Sequence, residues 1–288
     1  MQNLKDFEYL GERIEAASFK ETPFTHLYIE QFLSDEHFDL VVSQKQIKLP
    51  VHKTTQELID TLLDYGWEIQ SFPGCTTSVQ DYLKCYERNE WPIDKRVEGF
   101  GIALGLKRYD DGAVSRLVEY LNSPHFQKIL ENKFGIHRPN RISTAIHKYL
   151  SGYEISPHVD IRSKCLTYLI NINTDPRCEG LPIHTHLLKF KDEKRFIYDF
   201  WKFNKNYQTD WVPWEWCETE TEIRQNNSLV MFAPSWNTLH AVKLRYDHLS
   251  FQRTQLYGNL WYTDSTSELE PIYYRQLDIK PLPSQQTT

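Results

Sequence analysis

The chain has 288 residues, 40% of them hydrophobic and 25% charged, with a formal net charge of -6. This is the composition of a globular protein with a large core, and it excludes disorder; the negative balance also argues against a broad nucleic-acid footprint. No apolar run reaches the length of a membrane span and the first residues hold no apolar signal segment, while Cys75, Cys85, Cys165, Cys178 and Cys217 form no Cys-X-X-Cys pair, so free thiols, no membrane partner and a cytoplasmic location are expected.

In chain order, Ser34 opens a first expected helix, and Thr54-Thr-Gln-Glu57 reads as a capping box for a second that Gly66 stops. A third helix begins near Ala113. A fourth is signalled by Ser123 as N-cap, Pro124 in the first turn and Gly135 at the end. From Arg141 the pattern changes to eight short β-rich runs, 141–149, 153–160, 166–172, 181–188, 195–200, 228–233, 240–244 and 249–262. The expectation is one α+β, mainly β domain over 1–288. Residues 1–140 supply helical and mixed support, and 141–265 form a two-sheet jelly roll. Residues 201–226 are a lid-like insert in that core, and 266–288 a C-terminal tail.

The chemistry concentrates at His158, Asp160 and His240. Side chains two apart on a strand point the same way, so His158-Val-Asp160 aims an imidazole and a carboxylate into one cavity, with Val159 turned away. A third donor, His240, comes from another run. Two imidazoles and a carboxylate on one face of a divalent metal leave three positions open, the ligand set of non-haem iron. Thirteen residues later, Arg253 offers a planar guanidinium to a distal carboxylate, a geometry that describes 2-oxoglutarate; Gln255 and Tyr257 turn with it. Arg245 is its rival but precedes a turn-like Tyr-Asp-His.

The stretch Tyr149-Leu-Ser-Gly-Tyr-Glu-Ile-Ser-Pro-His158-Val-Asp160, with Cys165–Asn171, Asn227–Phe232 before His240, and Arg253 after it, resembles the Fe(II)- and 2-oxoglutarate-dependent oxygenases, in particular the prolyl-hydroxylase-like branch. Residues 23–36 resemble that family's opening segment, so the likeness runs over about 23–262. It implies iron on His158, Asp160 and His240, the far carboxylate of 2-oxoglutarate on Arg253 with help from Tyr149, and use of dioxygen to hydroxylate an unactivated C–H bond. Many relatives carry Ser or Thr where this chain has Gln255, so a hydroxyl beside the arginine is missing from the pattern. A carboxylate at 160 argues against halogenation, which needs a small residue there. Replacing Asp160 with Ala is expected to abolish turnover and leave the fold.

Several alternatives stand beside this reading. The segment Gly180-Leu-Pro-Ile-His184-Thr-His186, followed by Glu193, resembles a cupin metal motif. Otherwise His184 and His186, with Arg162 and Trp236, are candidates to touch substrate. Trp201, Trp211, Trp214, Trp216 and Trp236 crowd the insert region, and at least one is expected at the entrance. The expected substrate is a small molecule, in a biosynthetic tailoring step, with a peptide or protein side chain as the alternative. Arg245 and Arg253 lack the paired spacing of nucleic-acid demethylases. A non-catalytic keto-acid or metal sensor would retain the same residues.

Overall fold

A computed structural model describes residues 2–70, 78–89, 101–204 and 211–264; Cys75 and the expected 266–288 tail lie outside the described residues. The described residues contain seven α-helices, α1 (Glu8–Ala16), α2 (Asp35–Val42), α3 (Thr55–Asp64), α4 (Val79–Arg88), α5 (Ala113–Leu121), α6 (Pro124–Phe134) and α7 (Phe196–Phe203). Eleven strands accompany them: β1 (Leu27–Ile29), β2 (Trp67–Gln70), β3 (Ala103–Leu106), β4 (Asn140–Tyr149), β5 (Glu154–His158), β6 (Lys164–Asn171), β7 (Thr185–Phe190), β8 (Cys217–Ile223), β9 (Leu229–Phe232), β10 (His240–Lys243) and β11 (Arg253–Tyr262). No helix among the described residues is long and apolar enough to cross a membrane.

The capping chemistry works as the sequence indicates at three helices. The hydroxyls of Ser34, Thr54 and Ser123 each accept from the backbone N–H three residues on, as does Ser78 at α4, a helix not expected from the sequence, and Gly135 closes α6 in the left-handed conformation, φ +64. Only half of the capping box at α3 forms: the Glu57 carboxylate accepts from the Lys53 N–H, one residue before the cap.

All strand pairs are antiparallel and fall in two sheets, a large one of order β1-β9-β6-β11-β4-β3-β2 and a small one of order β5-β10-β7-β8. The large sheet has two distinct faces because strand side chains alternate. Ile146, Leu166, Tyr168, Ile170, Leu256 and Leu260 join the core beneath the helices. At Gly258 a Cβ would lie 2.0 Å from the Tyr168 ring, so this close approach requires glycine. The opposite face turns toward the small sheet, and Leu169, Val230 and Phe232 of one sheet pack with Leu187 and Ile223 of the other.

Two expectations are corrected. The run 195–200 is not a strand: Phe196–Phe203 is helical, with Ile197 and Trp201 buried one turn apart while Phe196, Phe200 and Phe203 stay exposed. A helical period outweighs the β preference of its aromatic residues. Within the supposed insert, Cys217–Ile223 is a strand paired along β7, its ends buried and its glutamates outward. Strands β1, β2 and β3, from before residue 140, complete the same large sheet.

Lys148 on the helix-facing side of β4 is fully buried, and its Nζ donates to Ile47 O (2.8 Å) and Thr254 Oγ1 (2.9 Å). Burial without a carboxylate pushes its ammonium down to about 7. Between that value and the ordinary 10.5 the unfolded chain binds a proton that the folded chain does not. Stability therefore rises with pH across that window, by at most about 1.4 kcal/mol per unit. Lys148→Met is expected to raise stability near neutral pH and flatten this slope, as urea midpoints between about pH 7 and about pH 9.5 would show.

Candidate metal centre and anion pocket

A cavity of about 350 Å³ lies between the two sheets. Its floor is the inner face of the large sheet, where Arg253, Gln255, Tyr257 and Trp261 follow one another at every second or fourth position of β11, beside His147 and Tyr149 of β4. His158, His240 and Thr185 look down from the small sheet.

His240 stands directly opposite His158 across the β10–β5 pair, and the ring centroids lie 4.4 Å apart. A register irregularity between His240 and Val242 gives β5 an extra residue, so Ile155 and His158, three apart, both line the cavity. The strand ends at His158. Asp160 sits just beyond it, and Val159 is turned out of the cavity and packed with Leu188, Phe190 and Trp201. One donor atom each from His158, Asp160 and His240 lies within 4.8 Å of the others, and among the described residues no other group of three or more His, Cys, Asp or Glu donors gathers in this way.

Each imidazole is oriented by its own backbone. His158 Nδ1 stands 2.8 Å from Ser156 O and His240 Nδ1 stands 2.9 Å from Thr238 O. A carbonyl oxygen only accepts, so Nδ1 carries the proton in both rings and Nε2 keeps its lone pair. Burial, reinforced at His158 by His240, pushes His158 down to about 3, and burial lowers His240 as well. Both rings are therefore neutral, the form that binds metal.

Asp160 is held on both oxygens: Lys164 Nζ donates to Oδ1 (2.7 Å) and Thr167 Oγ1 to Oδ2 (2.6 Å). Burial alone would raise this carboxyl, but Lys164 and the two imidazoles outweigh it and hold Asp160 well below the usual carboxylate range. Burial likewise opposes the Lys164 charge, and Asp160 with Tyr257 reverses it, raising the ammonium. Lys164 Nζ also lies 2.7 Å from the Tyr257 hydroxyl.

Arg253 is 3% exposed. Its guanidinium lies 4.9 Å from the Tyr149 ring centroid and donates to Thr185 Oγ1 (3.0 Å), and among the described residues no carboxylate pairs with it. The hydroxyl missing at position 255 is thus supplied from β7 of the other sheet. Gln255 lines the cavity and donates to Asn171 Oδ1 (2.7 Å). Arg245 is not on the cavity wall; it donates to Leu244 O.

The substrate candidates do not line this cavity. His184 meets Glu179 O, and His186 lies against Thr219, Glu222 and Trp214, both on the outer side of β7 from Thr185 and Leu187. Arg162 reaches Trp201 O, and Trp236 packs on Tyr198 and Lys202. Tryptophans do reach the cavity, namely Trp211, whose buried indole N–H has no partner among the described residues, and Trp261. His184 and His186 belong to no group of three or more mutually close metal donors among the described residues, which leaves the cupin alternative without a gathered ligand set.

No protein-family model and no curated protein sequence matches the chain. Among solved structures it is similar to a Pseudomonas putida prolyl-4-hydroxylase, with 12% identity, 72% of this chain and 97% of that one covered, and a TM-score of 0.36. It is also similar to a Trichoplax adhaerens prolyl hydroxylase in complex with a hypoxia inducible factor oxygen degradation domain peptide fragment, with 10% identity, 90% of each chain covered, and a TM-score of 0.44.

The Asp160–Lys164 pair changes what a substitution at 160 does to the fold. In metal-free protein, Asp160→Ala strands a buried ammonium and is expected to destabilise by about 3–5 kcal/mol, and adding Lys164→Met should recover most of the loss. Chemical denaturation of the single and double variants measures both.

Proposed function

We propose that the chain is an Fe(II)- and 2-oxoglutarate-dependent dioxygenase that hydroxylates an unactivated C–H bond of a small molecule, on a double-stranded β-helix formed by the two facing sheets. One observation carries this reading: three metal-competent donors and a buried guanidinium that has no carboxylate partner among the described residues open into the same cavity. A buried charge without a counterion is costly, and the cost is removed when an anionic ligand binds there.

His158 and His240 would hold iron through Nε2, and Asp160 through a carboxylate oxygen. Nitrogen and oxygen donors of this kind suit ferrous iron, and the three-donor set leaves room for a bidentate keto acid. Bound there, iron and 2-oxoglutarate supply the activation of dioxygen needed to oxidise a C–H bond. The chain's own residues orient and enclose. Arg253 takes the far carboxylate in its planar fork, steadied by Thr185 and by the face of Tyr149. Gln255 and Asn171 hold one another beneath it. Ile155, Leu169 and Val242 give the wall an apolar lining that keeps water from the reacting centre. A cavity of about 350 Å³ suits a keto acid with a small partner. A carboxylate at 160 leaves no place for a halide, which favours hydroxylation.

Anaerobic addition of Fe(II) and then 2-oxoglutarate is expected to produce a visible charge-transfer band, and Asp160→Asn or His240→Ala should abolish it; absence of the band from the wild-type protein would end this reading. Arg253→Ala is expected to weaken 2-oxoglutarate binding about ten- to a hundredfold, followed by titration of the same band. Substrate-dependent succinate release across a metabolite panel distinguishes an enzyme from a sensor.

A further inference from the structure

The charges on the cavity wall do not balance once the proposed cofactors are counted. Among the described lining residues the charged ones are Arg253, Lys164 and Asp160, two cations against one carboxylate, while His158 and His240, each with Nδ1 on a backbone carbonyl, offer a metal the lone pair of an uncharged ring. A divalent metal adds two positive charges and the 2-oxoglutarate dianion brings two negative ones, so one positive charge is left in a buried site. Such an excess calls for a further anion.

Its position follows from the strands. Arg253 and Tyr257 are four residues apart on one face of β11, roughly 13 Å between Cα atoms, longer than a five-carbon diacid reaches. Lys164 sits at the Tyr257 end, where its Nζ bonds the phenol and lies 5.5 Å from the Trp261 ring centroid. Its other partner is Asp160 Oδ1. When that carboxylate turns its charge to a metal, the ammonium keeps a phenol and a ring face but loses much of its counterion.

We propose that Lys164, with the Tyr257 hydroxyl, holds a carboxylate of the prime substrate, which makes the substrate an organic acid. This rests on the oxygenase reading above and adds the chemical class of what is oxidised. No covalent step is involved. The ammonium and phenol donate to the acid and so fix which carbon faces the metal centre.

The test uses the full chain loaded with Mn(II) and saturating 2-oxoglutarate, with acetate as the probe and acetamide as its neutral counterpart. Acetate is expected to show paramagnetic broadening of its methyl proton line that saturates with protein, and acetamide none. Lys164→Met should weaken acetate binding about ten- to a hundredfold, with Lys164→Arg restoring it and Tyr257→Phe falling between. Urea midpoints confirm that each variant is folded. If Mn(II) and 2-oxoglutarate fail to load, the oxygenase reading falls and this proposal with it. Normal loading with acetate binding that is absent, or equal in wild type and Lys164→Met, overturns the Lys164 subsite alone.

Discussion

One cross-strand pair carries the geometry of this site: His240 on β10 facing His158 on β5. Strand side chains alternate, so a slip of one residue in that register would send one imidazole to the outer face and leave the other alone. The pair is held on both sides, because β10 is also bonded to β7, with His240 opposite Leu187. Each ring then bonds the carbonyl two residues before it, Ser156 for one and Thr238 for the other. Backbone register thus places the rings, and backbone carbonyls choose their tautomers.

The two faces of the large sheet show how context decides what a buried cation does. Lys148 and Arg253 belong to neighbouring strands, and both are nearly inaccessible. Lys148 faces the helices and meets two neutral oxygens and the Trp67 ring in a sealed core, so burial shifts it toward the uncharged form. Arg253 faces the cavity. Burial weakens its hold on the proton too, but a guanidinium stays charged at any accessible pH. Arg253 thus keeps its charge beside an open pocket, whereas the lysine in a closed core adjusts its protonation.

Much of this was legible in the chain, because the relevant rules are local. The caps at Ser34, Thr54 and Ser123 rest on side chains reaching nearby backbone, and Arg253, Gln255 and Tyr257 share one face by strand alternation, whereas Asp160 lies just past the end of β5 and reaches His158 and His240 from the connection. What was not legible depends on register between distant strands. By simple alternation Lys164 shares a face with Leu166 and belongs under the helices, yet the register shift opposite Leu260 and Trp261 turns it into the cavity. Position 255, two residues along the same strand, offers Arg253 no hydroxyl, whereas Thr185 brings one from the other sheet. Residues 195–200 misled because aromatic residues favour strands while their burial follows a helical period.

The site also belongs to neither sheet alone. Both imidazoles hang from the small sheet, Asp160 from the connection that leaves it, and Arg253, Tyr149 and Tyr257 from the large one. What sets the distance between these groups is therefore the apolar packing of sheet on sheet, in which Leu169 and Phe232 meet Leu187 and Ile223. The Phe232 ring centroid lies 4.9 Å from that of His240, so the core residue and this imidazole share one wall. Protein interiors are close-packed and do not deform smoothly. A smaller side chain at 232 would leave a void beside the imidazole, and the walls could relax into it only by moving the donor set relative to the guanidinium. Core volume and the spacing of the three donors from Arg253 are in this way a single structural quantity, although Phe232 carries no polar group.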